Sequence, residues 1–333
     1  MVTSKVLAHS INEWGKPIAT LEVTLPRYIL AELNTHRMFS RNSSSSRAIP
    51  LAKSIEAVKN KPFIPEVWQK LHSGMQGKEY FENTDALNHV WSKACSAMIG
   101  FASEINNLGG TKQLANRLLE PFMWQTVILT STEWNNFYKQ RCPRYRHPKS
   151  PYYYTTKKGW KEFNLREGGN LPVPQTELEW AKLSDSDAEL NFQLLANEIS
   201  ESITNSNVEL LLPGQWHIPY KDKIKKLYPK ATLEEQLKIS TVMCARVSYT
   251  TIDHDLSEWT LEKYVEKYEL LKTADPIHAS PFEHVARCMT VDEFIGMVKG
   301  DIREDVESNE GWCNNFRAYI PLRYLVERGL KAC

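Results

Sequence analysis

The sequence predicts a chain of mixed α and β structure, and three observations carry that reading. Ala19-Thr-Leu-Glu-Val-Thr-Leu25 alternates apolar and polar residues with the period of a half-buried strand. Longer stretches, among them residues 51–110 and Leu233 to Met243, repeat apolar residues at helical spacing instead. At 42% apolar and 24% charged residues, the composition is that of a folded globular chain rather than a disordered one.

From the N-terminal side, residues 15–50 read as strand, helix and loop. Pro26, with its fixed φ, suits the first position of a helix over Arg27-Tyr-Ile-Leu-Ala-Glu-Leu33, so the loop from Asn34 to Arg47 follows a helix end. Residues 51–110 read as mostly helical, with Trp91, Ala94, Met98 and Phe101 forming a buried face. Residues 111–141 read as a helix that breaks at Pro121 and a second helix that ends at Arg141. From Cys142 to Pro174 the composition turns to Pro, Tyr, Lys, Arg and Gly. Leu233 to Met243 is a helix that delivers Arg246 and Ser248, and Ser257 to Leu271 is a second amphipathic helix with Ser257 as its cap. Asn314-Asn-Phe-Arg317 and Leu322-Arg-Tyr-Leu325 make a mixed apolar and cationic face to which no role is assigned. There is no internal repeat.

Several classes are disfavoured at this stage. The formal net charge is +1, so the whole chain carries no electrostatic footprint for a nucleic acid or a membrane, and neither partner is expected; local basic patches stay open. Six cysteines occur without a C-x-x-C pair, and the N-terminus has no apolar leader, which points to reduced thiols in a cytoplasmic protein. No run approaches the ~20 apolar residues needed to span a bilayer.

The chemistry concentrates in Asn34-Thr-His-Arg-Met-Phe-Ser-Arg-Asn-Ser-Ser-Ser-Ser-Arg47. Phosphates are held by Arg forks, hydroxyls and free backbone amides, and Ser43 through Arg47 supply all three. The competing reading is a Ser-rich surface linker. The same stretch resembles the signature of the flavin-dependent thymidylate synthases, R-H-R-x-x-S-x-N-x-x-S-x-R: His36, Arg37, Ser40, Asn42, Ser45 and Arg47 fall on six of its seven defined positions, and Thr35 replaces the first Arg. Cys244-Ala-Arg-Val-Ser-Tyr249 resembles the family's A-R-V-S-[FY] block, and His278-Ala-Ser-Pro-Phe-Glu-His284 its H-x-[ST]-P-F-E-H block. Arg117-Leu-Leu-Glu-Pro121 through Asn136-Phe-Tyr-Lys-Gln-Arg141 is similar to its R-x-x-L-P and N-F-L-x-L-R segments, shortened between Thr132 and Asn136. In the family, the blocks matched at Cys244 and His278 precede the Arg/Ser signature; here they follow it.

The resemblance therefore implies an α+β fold, helices around a central, mainly antiparallel sheet, circularly permuted. It treats residues 1–333 as a single catalytic domain, with the aromatic and basic segment 142–180 inserted ahead of Asp187-Ala188-Glu189, the match to the family's H-A-Q. Interleaved rings and cations in that segment could form a nucleotide lid or a single-strand contact, or simply a loop packing its tyrosines on the body or a neighbouring subunit.

The activity implied is conversion of dUMP to dTMP, with methylenetetrahydrofolate as carbon donor and NADPH-reduced FAD as hydride donor, in a homo-oligomer that is a tetramer in the family. Arg141 is the implied catalytic group, a permanent cation beside the base. Ser45, Arg47 and Arg117 are implied for the nucleotide phosphate. His36, Arg37, Asn42, Asn136, Ser248, Ser280 and Glu283 are implied for FAD, and His278 for the folate or nicotinamide entry. The departures cluster near the nucleotide: Thr35, Ser43, Ala48, and Glu32 and Glu189 in place of Gln. An ionised Glu only accepts hydrogen bonds, so a carboxylate facing the base suits the amino group of dCMP. Methylation or hydroxymethylation of dCMP or dUMP for modified DNA, and a flavin- or nucleotide-binding homologue without catalysis, are the alternatives. Cys142 reads as a nucleophile activated by Arg144 and His147, or as structural. His278 and His284 lack a third ligand nearby, and no metal is expected.

Overall fold

In a computed structural model, the described residues are 1–45, 47–74, 76–248, 259–298 and 308–331. Tyr249 and the cap Ser257 lie outside them.

The chain is α+β, organised on a five-stranded sheet. β1 (Thr3–Asn12) and β2 (Pro17–Pro26) form an antiparallel hairpin. Its turn closes because the Asn12 side-chain oxygen accepts the N–H groups of Trp14 (3.1 Å) and Lys16 (2.9 Å), while Gly15 takes φ +70°, a left-handed conformation that costs glycine little. β3 (Ser40–Ser43) and β2 flank β4 (Trp124–Ser131), both antiparallel to it, and the short strand Glu209–Leu211 adds parallel to β1 on the other edge.

β4 corrects the expectation of two helices over 111–141. The segment holds one helical turn, Lys112–Ala115, a 3-10 stretch Asn116–Phe122 containing Pro121, β4, and then the helix Asn135–Arg141. Thr126, Val127, Ile128 and Thr130 are β-branched, and two partner strands take up the backbone groups of this run. The stretch 51–110 departs as well: helices run over Leu51–Asn60 and Asp85–Asn107, and the described residues between them, rich in Pro and Gly, are largely irregular. The long helix buries Cys95 and Ala102 and packs Trp91 and Met98 beside them, whereas Ala94 is exposed and Phe101 is 52% exposed. Pro26 ends β2 ahead of a 3-10 turn (Arg27–Ile29) and a single α turn (Leu30–Leu33).

The sheet is covered on both faces. Ala19, Leu21, Val23 and Leu25 of β2, with Val127 and Leu129 of β4, pack against Phe192, Leu195, Ala196 and Ile199 of the helix Leu190–Thr204. On the opposite face, Ile128 meets Cys244 and Val247 at the end of the helix Leu233–Arg246. That helix belongs to a second core with the helix Leu261–Thr273, Phe282, Val285 and Met289. A three-stranded antiparallel sheet, Trp216–His217, Ala286–Cys288 and Tyr319–Pro321, runs beside this core. β2 is therefore more buried than alternation implies, with even Thr20 fully enclosed.

A buried polar chain joins the layers. Ser10 Oγ meets His217 Nδ1 at 2.9 Å, His217 Nε2 meets Thr20 Oγ1 at 2.9 Å, Thr20 meets the cross-strand Thr130 at 2.7 Å, and Thr130 meets His284 Nδ1 at 2.8 Å. Burial depresses both imidazoles, to about 3.

Two outcomes follow. Thr130→Val keeps the shape but strips the central link, and chemical denaturation should show a loss of about 1–3 kcal/mol. Unfolded histidines bind protons near pH 6.5 while these two stay neutral when folded, so stability should be level above about pH 6.5 and fall as pH drops toward about 4. The limiting slope from this pair approaches about two protons per molecule in denaturation measured across that range.

Candidate active site

The loop after Leu33 is closed from within. Arg41, on β3, sends Nη1 back to the carbonyls of Asn34 and His36, each at 3.0 Å, and of Leu33 at 3.4 Å. Ser40–Ser43 is thus strand rather than loop or linker, and Ser40 and Asn42 are buried. The fold turns His36 inward among Phe39, Phe137 and Phe192, with ring centroids 5.7, 5.0 and 6.0 Å away. Burial lowers its pKa to about 4, with the Arg141 and Arg41 guanidiniums adding to the effect.

Arg141 is the last residue of the helix Asn135–Arg141. Its Nε donates to His36 Nε2 at 3.0 Å, and its guanidinium lies over the Phe192 ring at 4.9 Å. An accepting Nε2 requires neutral His36 with its proton on Nδ1, in keeping with the depressed pKa. The outer nitrogens are more loosely held: Nη2 lies 3.5 Å from Thr35 Oγ1, and Nη1 lies 3.9 Å from Glu32 Oε2. The guanidinium is oriented on one edge and available on the other.

Glu32, paired with Arg141, and Glu189 near Glu32 are held in different ways. Glu189 caps the helix Leu190–Thr204, Oε2 accepting the Phe192 N–H at 3.0 Å, while Oε1 accepts the Tyr28 hydroxyl at 2.9 Å and Asn191 Nδ2 at 2.8 Å. Glu32 has the Arg141 ion pair, and its side chain remains 39% exposed. Burial and the neighbouring Glu189 raise the Glu32 pKa, with Arg141 opposing them. Burial, with Glu189 next in importance, pushes the Tyr28 hydroxyl far up, so it stays a donor.

Three sequence-distant blocks meet at Asn42. Its Nδ2 donates to the Cys244 carbonyl at 2.6 Å, and its Oδ1 accepts the hydroxyls of Ser248 at 2.9 Å and Ser280 at 3.3 Å. The Ser45 N–H reaches the Ser248 carbonyl at 3.3 Å, a further tie between the first two. Glu283 pairs with Arg323, which also holds Glu327 Oε1 at 2.7 Å.

The remaining candidates are more open. Arg37 and Asn136 are exposed and line a cleft with Thr35, His36, Met38, Phe39, Glu133 and Gln140. Arg47 is exposed, and Arg117 pairs at 2.8 Å with Glu120, which Arg27 also holds at 2.8 Å. His278 is exposed and makes no side-chain hydrogen bond among the described residues, while His284 is enclosed and bonded to Thr130. No group of three or more His, Cys, Asp or Glu that could hold a metal occurs among the described residues. Cys142 is fully buried, its thiol donating to the Ala196 carbonyl at 3.5 Å and pushed up to about 12 by burial, so it is structural rather than nucleophilic.

Tyr28, Arg41, Asn191, Phe192 and Arg323 complete these networks, although the sequence assigns none of them a role. Asn191 had one signal, its place two residues after Glu189. The others are assembled by helix and strand packing alone.

No family model matches the chain, and no curated protein matches it. Solved structures similar to it include a UMP/dUMP methylase PolB from Streptomyces cacaoi bound with 5-Br dUMP, at 13% identity and TM-score 0.33, covering 55% of this chain and 91% of that one. The same methylase bound with 5-Br UMP gives 14% identity and TM-score 0.32, covering 55% and 90%. Among the described residues, no helix is long and apolar enough to cross a membrane.

Asn42→Ala removes the side chain on which three blocks converge and leaves the Cys244 carbonyl without that donor. A loss of about 1–3 kcal/mol in denaturant-induced unfolding is expected. Asn42→Asp sets a buried carboxylate against the Cys244 carbonyl and should cost at least as much as alanine at neutral pH.

Proposed function

We propose that the protein is a flavin-dependent methyltransferase converting dUMP to dTMP, with methylenetetrahydrofolate as carbon donor and NADPH-reduced FAD as hydride source. The reading rests on the motif resemblance, and one observation carries it further. Asn42, Ser248 and Ser280, from blocks that follow the family's pattern in a permuted order, share hydrogen bonds at one point. Segments drawn from distant parts of a chain by accident have no reason to meet there.

Arg141 is the catalytic group in this reading. Transfer of a carbon onto C5 requires negative charge on the pyrimidine ring, and a guanidinium held in advance stabilises that charge without reorganising in the transition state. His36 and Phe192 hold Arg141 by Nε and by its face, leaving Nη1 and Nη2 for the base. Arg47 and Ser45 take the phosphate, with Arg117 joining if it exchanges Glu120 for the ligand. His278 serves the folate or nicotinamide entry. Residues 142–180 are an insertion in the single domain, and a tetramer completes the pocket.

The residues at the Thr35–Phe39 cleft fit a flavin dinucleotide. Arg37 stands exposed at its wall with no ion-pair partner among the described residues, matching a diphosphate, and Asn135, Asn136 and Gln140 supply amides for the remaining polar edges. When bound, the flavin would supply the hydride that completes the methyl group.

One observation favours a second reading, methylation or hydroxymethylation of dCMP. Glu189 is committed to Tyr28, Asn191 and the helix amide, while Glu32 is open beside Arg141 and can accept from an exocyclic amino group.

The test is the visible spectrum of the purified protein, followed by anaerobic incubation with NADPH, methylenetetrahydrofolate and either dUMP or dCMP, with products read by mass. A flavin spectrum with dTMP formed is the expected result. Product from dCMP alone selects the second reading, and flavin without any product marks a binding homologue. Arg141→Ala should cut turnover by about 100-fold or more while the flavin spectrum persists. Cys142→Ala should leave turnover within a few-fold of wild type.

A further inference from the structure

The segment that follows Arg141 has a charge the whole chain conceals. Between Arg144 and Arg166 there are seven Lys and Arg residues and a single acid, Glu162, in a chain with net charge +1. Arg144 and Lys157 are answered by carboxylates: Arg144 lies 3.3 Å from Asp187, and Lys157 lies 2.5 Å from Glu177. Arg146, Lys149, Lys158, Lys161 and Arg166 form no ion pair among the described residues.

The rings of this segment divide between two faces for a structural reason. Tyr145–Arg146 pairs antiparallel with Tyr153–Tyr154, Tyr145 opposite Tyr154 and Arg146 opposite Tyr153. Alternation along a strand sends Tyr145 and Tyr154 inward, where they pack with Trp160 and Trp180. That cluster holds the segment together. Arg146 and Tyr153 stand on the other face, the guanidinium 6.0 Å from the ring centroid. Tyr153 is 45% exposed, its hydroxyl reaching Asp185 at 3.2 Å, and Tyr152 beside it is 74% exposed. Asp185 is itself answered by Lys78 at 3.2 Å, and its carbonyl by Arg144. Arg166 lies 5.0 Å from the Phe163 ring on the adjoining helix Lys157–Arg166, giving a second cation and ring pair.

We infer that the outer face of residues 144–166 binds single-stranded nucleic acid, with bases stacking on Tyr152 and Tyr153 and backbone phosphates lying along Arg146, Lys149, Lys158 and Arg166. Both halves of the chemistry are needed for that ligand; Lys149 and Lys158 meet only neutral oxygens, the Glu167 carbonyl at 3.2 Å and Asn205 Oδ1 at 3.1 Å, which a phosphate can replace. Unpaired cations alone fit any polyanion, but exposed rings set among them fit one that carries flat bases. A duplex keeps its bases stacked on one another and offers these tyrosines nothing. An acidic peptide uses the cations and leaves the rings idle. The proposal stands independently of the methyltransferase reading.

The test uses the full chain and a fluorescein-labelled oligothymidine of about 16 nucleotides, followed by fluorescence anisotropy between about 50 and 200 mM salt. Binding that weakens as salt rises is expected, and Arg146→Ala with Lys149→Ala should reduce the slope of log K against log salt by about 1.4, at ~0.7 per phosphate contact. Tyr152→Ala should weaken binding about 10-fold at an unchanged slope, and Tyr152→Phe, which keeps the ring, should restore it. Matching melting temperatures establish that the variants fold. No anisotropy change at low salt overturns the proposal. Equal affinity for the duplex, or full competition by polyglutamate together with an indifferent Tyr152→Ala, overturns it in favour of a general anion surface.

Discussion

The arrangement depends on two imidazoles that must remain neutral between the central sheet and the layer beneath it. His217 and His284 occupy fully buried positions where a charge would cost far more than a hydrogen bond returns. They are tolerated because Thr20 and Thr130, a cross-strand pair on the polar face of β2 and β4, offer hydroxyls that either donate or accept. The chain of bonds has a direction, set by which ring nitrogens carry protons. In either direction His284 Nε2 is its open end, with no partner among the described residues. The same Thr130 stands opposite Ser40 of β3, so the strand bearing Asn42 is registered against the strand that anchors His284.

Register matters because Asn42 works only where it is. Shifting β3 by one residue would turn Asn42 away from Cys244, Ser248 and Ser280 and bring Arg41 or Ser43 in its place. Arg41 uses its correct position to gather the carbonyls of the preceding loop, and that loop presents His36 to Arg141. The orientation of one guanidinium thus descends from strand pairing through a loop closure to a neutral imidazole. Its electrostatic setting is divided: one carboxyl is spent on a helix terminus, and the other is left half open at the guanidinium's free edge.

The aromatic and basic segment follows different physics. Its inner rings supply a small core of their own around Tyr145, Trp160 and Trp180, while Tyr152 and Tyr153 stay exposed on the other side. Net charge near zero describes the sum over the chain and says nothing of its distribution, and a ligand samples the local field within a Debye length of about 8–10 Å.

What the sequence determined by itself is what short-range pattern can encode. The alternation of residues 19–25 marks β2, helical spacing marks Leu233 to Met243, and the clustering of His36, Asn42 and Arg47 marks a loop of chemical interest, part of which the fold turns into β3. Tertiary structure decided the rest. Trp124–Ser131 became a central strand because β2 and β3 could both pair with it, and no local signal counts partners. Ala94 and Phe101 shared a helical spacing with Trp91 and Met98 yet stayed outside, because which side of a helix is buried depends on what packs against it. Glu32 and Glu189 looked equivalent as departures from a pattern, and only the folded chain assigned one to capping and the other to the edge of Arg141. Side chains hundreds of residues apart meet through packing, and a sequence read in windows contains no record of those distances.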